Sequence, residues 1–120
     1  MVAYNFQAWK APKVESGESR QTIRAWGKRR HAVPGELLQL YTGLRTKACR
    51  KLINPDPPCI LASPVFMRNF GGIVLINVDG KLVTDAEPLA IADGFYTLGD
   101  FINFFLKTHG FPVEVLLFYW

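Results

Sequence analysis

Acidic residues are scarce in the first half of this chain, and so are the residues from which metal and nucleophile sites are usually built. Residues 1–68 hold four of the ten Asp and Glu but 12 of the 14 Lys and Arg, a net charge of +8 against −4 for residues 69–120. The two histidines, His31 and His109, and the two cysteines, Cys49 and Cys59, stand at no metal-ligand spacing, and there is no CxxC pair. A metal site is therefore not expected, no cofactor is implied, and the cysteines read as reduced, packed thiols. No G-x-S-x-G, P-loop or dinucleotide fingerprint occurs, which removes the nucleophile-elbow hydrolases and the common nucleotide-fold enzymes. Long apolar runs are missing too: Ile73–Ile76 is far too short to cross a bilayer, so no membrane partner is expected. The opening MVAYNFQAWK lacks the basic-then-apolar layout of a secretion signal, and the expected location is the cytoplasm.

What is present is a globular composition. A chain of 120 residues with 49% hydrophobic content fits one domain, residues 1–120, with a core of its own. The uneven charge suggests a basic face, for which nucleic acid is the commonest partner through phosphate neutralisation. The plain alternative is that the two halves interleave and their charges average out.

The local signals predict an α+β order. Val2–Phe6 reads as a first strand, and Lys10–Glu15 as a short helix with Pro12 in its first turn and Gly17 behind it. Arg20–Trp26 reads as a strand in which Arg20, Thr22 and Arg24 share one face and Gln21, Ile23 and Ala25 the other. Val33-Pro34-Gly35-Glu36 is a tight turn before a strand over Leu37–Tyr41. Thr46–Ile53 is a weaker strand candidate, and Cys59–Met67 is a strand interrupted by Pro64. Asp79-Gly80 marks a hairpin between Gly71–Val78 and Lys81–Thr84. Glu87–Ala92 reads as a short helix, and Thr97 caps an amphipathic helix over Leu98–Thr108. Val113–Trp120 is apolar almost throughout, which places it centrally in a sheet. So many apolar strands in so short a chain predict a strongly curved or closed sheet.

One stretch concentrates candidate chemistry. SGESRQTIRAW, residues 16–26, carries Arg20, Thr22, Arg24 and Trp26, and Lys28, Arg29 and Arg30 follow at once. Guanidinium groups bind phosphate in a bidentate fork, and an indole stacks on an unpaired base. The competing reading is a solvated basic strand and loop with Trp26 and Trp9 in the core. Asp93, in Ala92-Asp93-Gly94-Phe95, either shapes a turn or supplies a carboxylate facing Thr22 or Arg24, as a general base or a reader of a base edge.

These segments together resemble the ASCH domain family. Gly17 with Thr22-Ile23-Arg24 carries one motif, Pro34-Gly35-Glu36-Leu37-Leu38 a second, and Ala92-Asp93-Gly94-Phe95 a third, over nearly the whole chain. The resemblance implies a PUA-like fold, a small β-barrel of about six strands flanked by two or three short helices, and an association with RNA. One branch of the family, the acetylcytidine amidohydrolases, uses a lysine, a threonine and a glutamate. Its threonine falls on Thr22, its lysine on Ser19, and the nearest carboxylate to its glutamate is Asp93. Because Ser19 stands where that lysine would be, and Arg20 stays protonated, binding is favoured over hydrolysis. The leading expectation is a domain that binds RNA or a modified nucleotide in a basic cleft beside the barrel, with Arg20, Thr22, Arg24, Trp26, Lys28, Arg29 and Arg30 on the ligand. The alternatives are a hydrolase of the same fold, acting on acylated cytidine or on RNA, and a protein-interaction module that inhibits a nucleic-acid-handling complex. Thr22 and Asp93 are the candidate catalytic residues.

Overall fold

The computed structural model describes residues 2–27 and 29–120. The described residues form β1 (Val2–Phe6), α1 (Ala11–Ser16), β2 (Gln21–Ala25), β3 (Leu38–Thr42), β4 (Arg50–Lys51), β5 (Leu61–Phe70), β6 (Ile73–Val78), β7 (Lys81–Leu82), α2 (Glu87–Ala92), α3 (Leu98–Thr108) and β8 (Val113–Tyr119). The fold is α+β. Among the described residues no helix is long and apolar enough to cross a membrane.

Local chemistry accounts for most of these elements. Gly17, at φ +85°, closes α1, and Thr97 Oγ1 accepts the Asp100 N–H at 3.1 Å to open α3. Asp79 and Gly80 both have positive φ, 54° and 78°, as a type I′ turn between β6 and β7 requires. β5 runs through Pro64 instead of breaking there. The Pro64 carbonyl accepts the Asp79 N–H, so its nitrogen faces the β6 side just beyond Val65↔Val78, where the missing donor falls outside the ladder. The Thr46–Ile53 candidate shrinks to the two residues of β4: Arg50 and Lys51 pair in register with β3, and Leu52 N–H adds one bond to the Leu40 carbonyl.

The strands make two sheets, in the orders β1-β3-β4 and β2-β8-β5-β6-β7. β8 is central, as its apolar sequence requires, and divides two cores. Val115 and Leu117 face Phe101 and Phe105 of α3, while Phe118 and Trp120 face Tyr4 and Phe6 of β1. Phe101 and Phe105 are both fully buried, each contributing roughly 1.5–3 kcal/mol of transfer free energy, which seats α3 on the larger sheet.

The predicted closed sheet does not form among the described residues. On one side the two sheets are stitched together by Pro57–Ile60. The Pro57 carbonyl accepts from Leu38 N–H, Cys59 exchanges bonds with Gly35 and Glu36, and Ile60 N–H donates to Tyr119. On the other side β1 and β2 are both edge strands, and no ladder joins them. A gap of this kind leaves strand edges unpaired, so something other than backbone pairing has to fill it.

Candidate functional site

Arg24 spans the gap. Its Nη2 donates to the Asn5 carbonyl of β1 at 2.8 Å, and its Nε donates to Thr22 Oγ1 at 2.9 Å. The guanidinium lies 5.1 Å from the Tyr4 ring centroid and 4.8 Å from that of Phe6. The strand's alternation sends Thr22 and Arg24 to one face of β2. Their partners on β8 are Phe118 and Leu116, so that face looks toward the smaller sheet. Burial pushes the Arg24 pKa down from the ordinary guanidinium value, against the support of Asp93 and Tyr4.

Two cavities open along the seam, one on each side of this strut. The first, of about 380 Å³, is lined by Thr22, Arg24, Lys10, Asp93, Trp9 and Phe95, with Phe104, Phe105 and His109 behind them. Asp93 is held by the end of α2 and is only 2% exposed. Gln21 Nε2 donates to its Oδ1 at 3.3 Å, and Ser19 Oγ donates to the neighbouring Ala92 carbonyl at 2.8 Å. Lys10, 8% exposed, brings its Nζ to 3.6 Å from Asp93 Oδ2. That separation is longer than a charge-assisted hydrogen bond, so each charge is only partly compensated. Desolvation accordingly raises the Asp93 carboxyl to about 6, against Lys10, Gln21 and Arg24, which favour its ionised form. Desolvation also lowers the Lys10 ammonium, opposed by Asp93 and assisted by Arg24. A carboxyl with a pKa near 6 can hold or release a proton close to neutrality, which suits acid–base work or a switchable hydrogen bond.

Gly94 makes room for this pair. Its φ is +96°, and a Cβ there would stand 3.1 Å from Lys10 Cε and Cγ. Its carbonyl accepts from Lys13 Nζ at 2.9 Å, which ties α1 to the Asp93 turn. Trp9, 44% exposed, forms the rim of the cavity, with its ring 5.2 Å from Phe95 and its Nε1 donating to Gln7 Oε1 at 2.6 Å.

The second cavity, of about 690 Å³, lies between β1 and the loop after β2 and is lined by Ala3, Tyr4, Arg24, Arg29, Arg30 and His31, among others. His31 is fixed as part of its wall. Its Nε2–H donates to the Ala25 carbonyl at 2.9 Å, which leaves Nδ1 to accept the Tyr4 hydroxyl at 3.0 Å. Arg30 forks onto Glu36 and holds that carboxyl at about 2 through the shared hydrogen bonds.

Thr22 and Arg24, predicted as site residues from one motif, and Asp93, from another, thus line one cavity. Arg29 and Arg30 line the other, and Arg24 belongs to both. Arg20 lines neither: it is exposed and donates through Nε to the Trp120 carbonyl at 3.2 Å. Trp26 is 59% exposed and edge-on to His31, beside the second cavity rather than in its lining, so neither it nor Trp9 is the core tryptophan of the competing reading. Lys28 lies outside the described residues. Ser19, where the resemblance puts a lysine, is buried against α2. The lysine that meets Asp93 is instead Lys10, which stands at the start of α1 and belongs to none of the three motifs. The one local signal was its place between Trp9 and Ala11 ahead of Pro12, a lysine with apolar neighbours. His109 caps α3 and also lines the first cavity. Among the described residues no group of three or more His, Cys, Asp or Glu stands together, and Cys49 and Cys59 are unpaired.

Compared with protein-family models, with curated proteins and with solved structures, the chain gives no match.

Proposed function

We propose that this chain is an ASCH-type, PUA-like domain that binds RNA or a modified nucleotide in the open seam between β1 and β2. The observation that carries the reading is the first cavity. It joins a rim tryptophan, a buried carboxyl, a buried ammonium and a threonine hydroxyl in a space of about 380 Å³, within the size range of small-ligand sites. Trp9 offers a stacking face for an unpaired base. Asp93 and Thr22 present hydrogen-bonding groups to a base edge, and Arg24 and Lys10 supply positive charge for a ribose phosphate. The surrounding basic half of the chain adds the electrostatic term.

The test is equilibrium binding of single-stranded RNA and of acylated cytidine, across a salt series. Affinity is expected to fall steeply with salt, and Trp9→Ala and Thr22→Ala should each weaken binding about tenfold, in line with the loss of one stacking or hydrogen-bonding contact. Undetectable binding at low salt would overturn the reading.

A second reading, hydrolysis of an acylated base, rests on one observation: Lys10 restores a lysine beside the carboxyl even though position 19 is serine. Thr22 Oγ1 accepts from Arg24, which leaves its own hydrogen free to be donated or removed. Mass spectrometry of acylated cytidine and of structured RNA after incubation separates the two readings. Product formation that is lost in Lys10→Met marks an enzyme, and intact ligand marks a binder.

A further inference from the structure

We infer that the second cavity is a phosphate subsite and that the ligand is therefore a single-stranded oligonucleotide, not a free nucleoside; this rests on the first cavity taking a base. The two cavities share Arg24 and Ala25 as a common wall, so a chain leaving the first enters the second without a detour. The chemistry of the second is one-sided. Arg24 and Arg29 line it, no Asp or Glu is among its described lining residues, and the nearby Glu36 is held by Arg30. Arg24 uses Nε and Nη2 on Thr22 and Asn5, while its Nη1 makes no hydrogen bond among the described residues. Packed against the Tyr4 and Phe6 rings and tied at two points, it presents that donor with little entropy left to lose.

The edge of β1 adds backbone donors. The Asn5 carbonyl points into the seam, where it meets Arg24. By the two-residue period of a strand, the N–H and C=O of Ala3 point the same way, into the second cavity that Ala3 lines. The remaining Nη1 of Arg24, the guanidinium fork of Arg29 and a strand-edge N–H are a donor set for a phosphodiester. His31 contributes no free donor, because both ring nitrogens are engaged. A nucleoside would leave this cavity unused, whereas a dinucleotide or longer strand fills it with the phosphate next to the bound base.

The experiment titrates the protein with the four ribonucleosides, a mixed-sequence RNA hexamer, and the same hexamer with uncharged methylphosphonate linkages. The hexamer is expected to bind at least tenfold tighter than any nucleoside, with that gain lost on the methylphosphonate strand. Arg29→Ala should weaken the hexamer about fivefold and reduce the salt slope by about one phosphate contact. Arg29→Lys should fall between, since it keeps the charge and loses the fork. If nucleosides bind as tightly as the hexamer, or if Arg29→Ala leaves hexamer affinity and salt slope unchanged, the subsite is overturned while base binding in the first cavity stands. If neither nucleosides nor hexamer binds at low salt, both readings fall together.

Discussion

The two cavities of the open seam lean on the same arginine and are built on opposite terms. In the first, charges of both signs are buried at 3.6 Å, and desolvation pushes both toward their neutral forms. In the second, exposed arginines meet, among the described residues, no carboxylate except the one already held by Arg30. The first can discriminate, because a ligand that fails to satisfy a buried carboxyl and ammonium leaves them exposed to the desolvation cost. On the proposed reading the second attracts, with little geometric demand and strong dependence on salt. A site that needs both selection and grip can separate them in space, and here the divider is a single fixed side chain.

The sharpest way to break this contrast is to remove one member of the buried pair. Asp93→Ala leaves Lys10 without its partner and should lower unfolding free energy by about 3 kcal/mol in urea. Arg29→Ala, on the exposed side, should change it by less than about 0.5 kcal/mol. Replacing both buried charges, Lys10→Met with Asp93→Leu, should restore most of the loss. If Asp93→Ala were as mild as Arg29→Ala, the first cavity would not be the desolvated site described here.

Much of the framework behind this contrast was legible in the sequence, and the reason is locality. Thr97, Asp79-Gly80 and Pro34-Gly35 each fix their own element through contacts within a few residues. The alternation of β2 correctly put Thr22 and Arg24 on one face. It also grouped Arg20 with them, because alternation reports a face and not a position along the strand; Arg20 lies past the end of the cavity. The opening of the sheet was not legible, since it depends on which distant edges meet. Pro57–Ile60 closes one side, and nothing in β1 or β2 says that the other stays open. Lys10 was missed for the same reason: its burial exists only once α2 delivers Asp93 and Gly94 to it from the other end of the chain.

A pH profile sharpens the comparison next. Asp93 is raised from 3.8 to about 6 in the folded protein. Between those values the native state keeps a proton that the unfolded chain has lost, so stability falls as pH rises through this window. The stability lost is about 3 kcal/mol in all, and the loss is complete only above pH 6. Glu36, held at about 2 from 4.5, acts in the opposite sense: its stabilisation is present above pH 4.5 and is lost as pH falls toward 2. The clean interval for Asp93 is therefore pH 4.5 to 6. Urea unfolding there should show the downward slope in the parent protein and none in Asp93→Asn. A slope that survives the substitution would assign it to another group.

A smaller effect is expected at Gly94. A Cβ at φ +96° meets the stem of Lys10 at 3.1 Å, so Gly94→Ala should cost about 1–2 kcal/mol through the strained backbone alone. It should also shift the Asp93 titration, because Lys10 has to move. Gly72, which also has positive φ but nothing within 4 Å of its Cβ position, serves as the control: alanine there should carry the backbone cost and leave the titration where it was.

Occupancy of the seam left open between β1 and β2, as proposed, is read from backbone amide resonances while a mixed-sequence RNA hexamer is added. Shifts are expected to concentrate at Ala3, Asn5, Thr22, Arg24 and Asp93–Phe95, with the apolar tip of the β5–β6 hairpin, Phe70–Ile73, unmoved. Shifts confined to that hairpin, or spread evenly over the basic surface with the two seam strands silent, would contradict it.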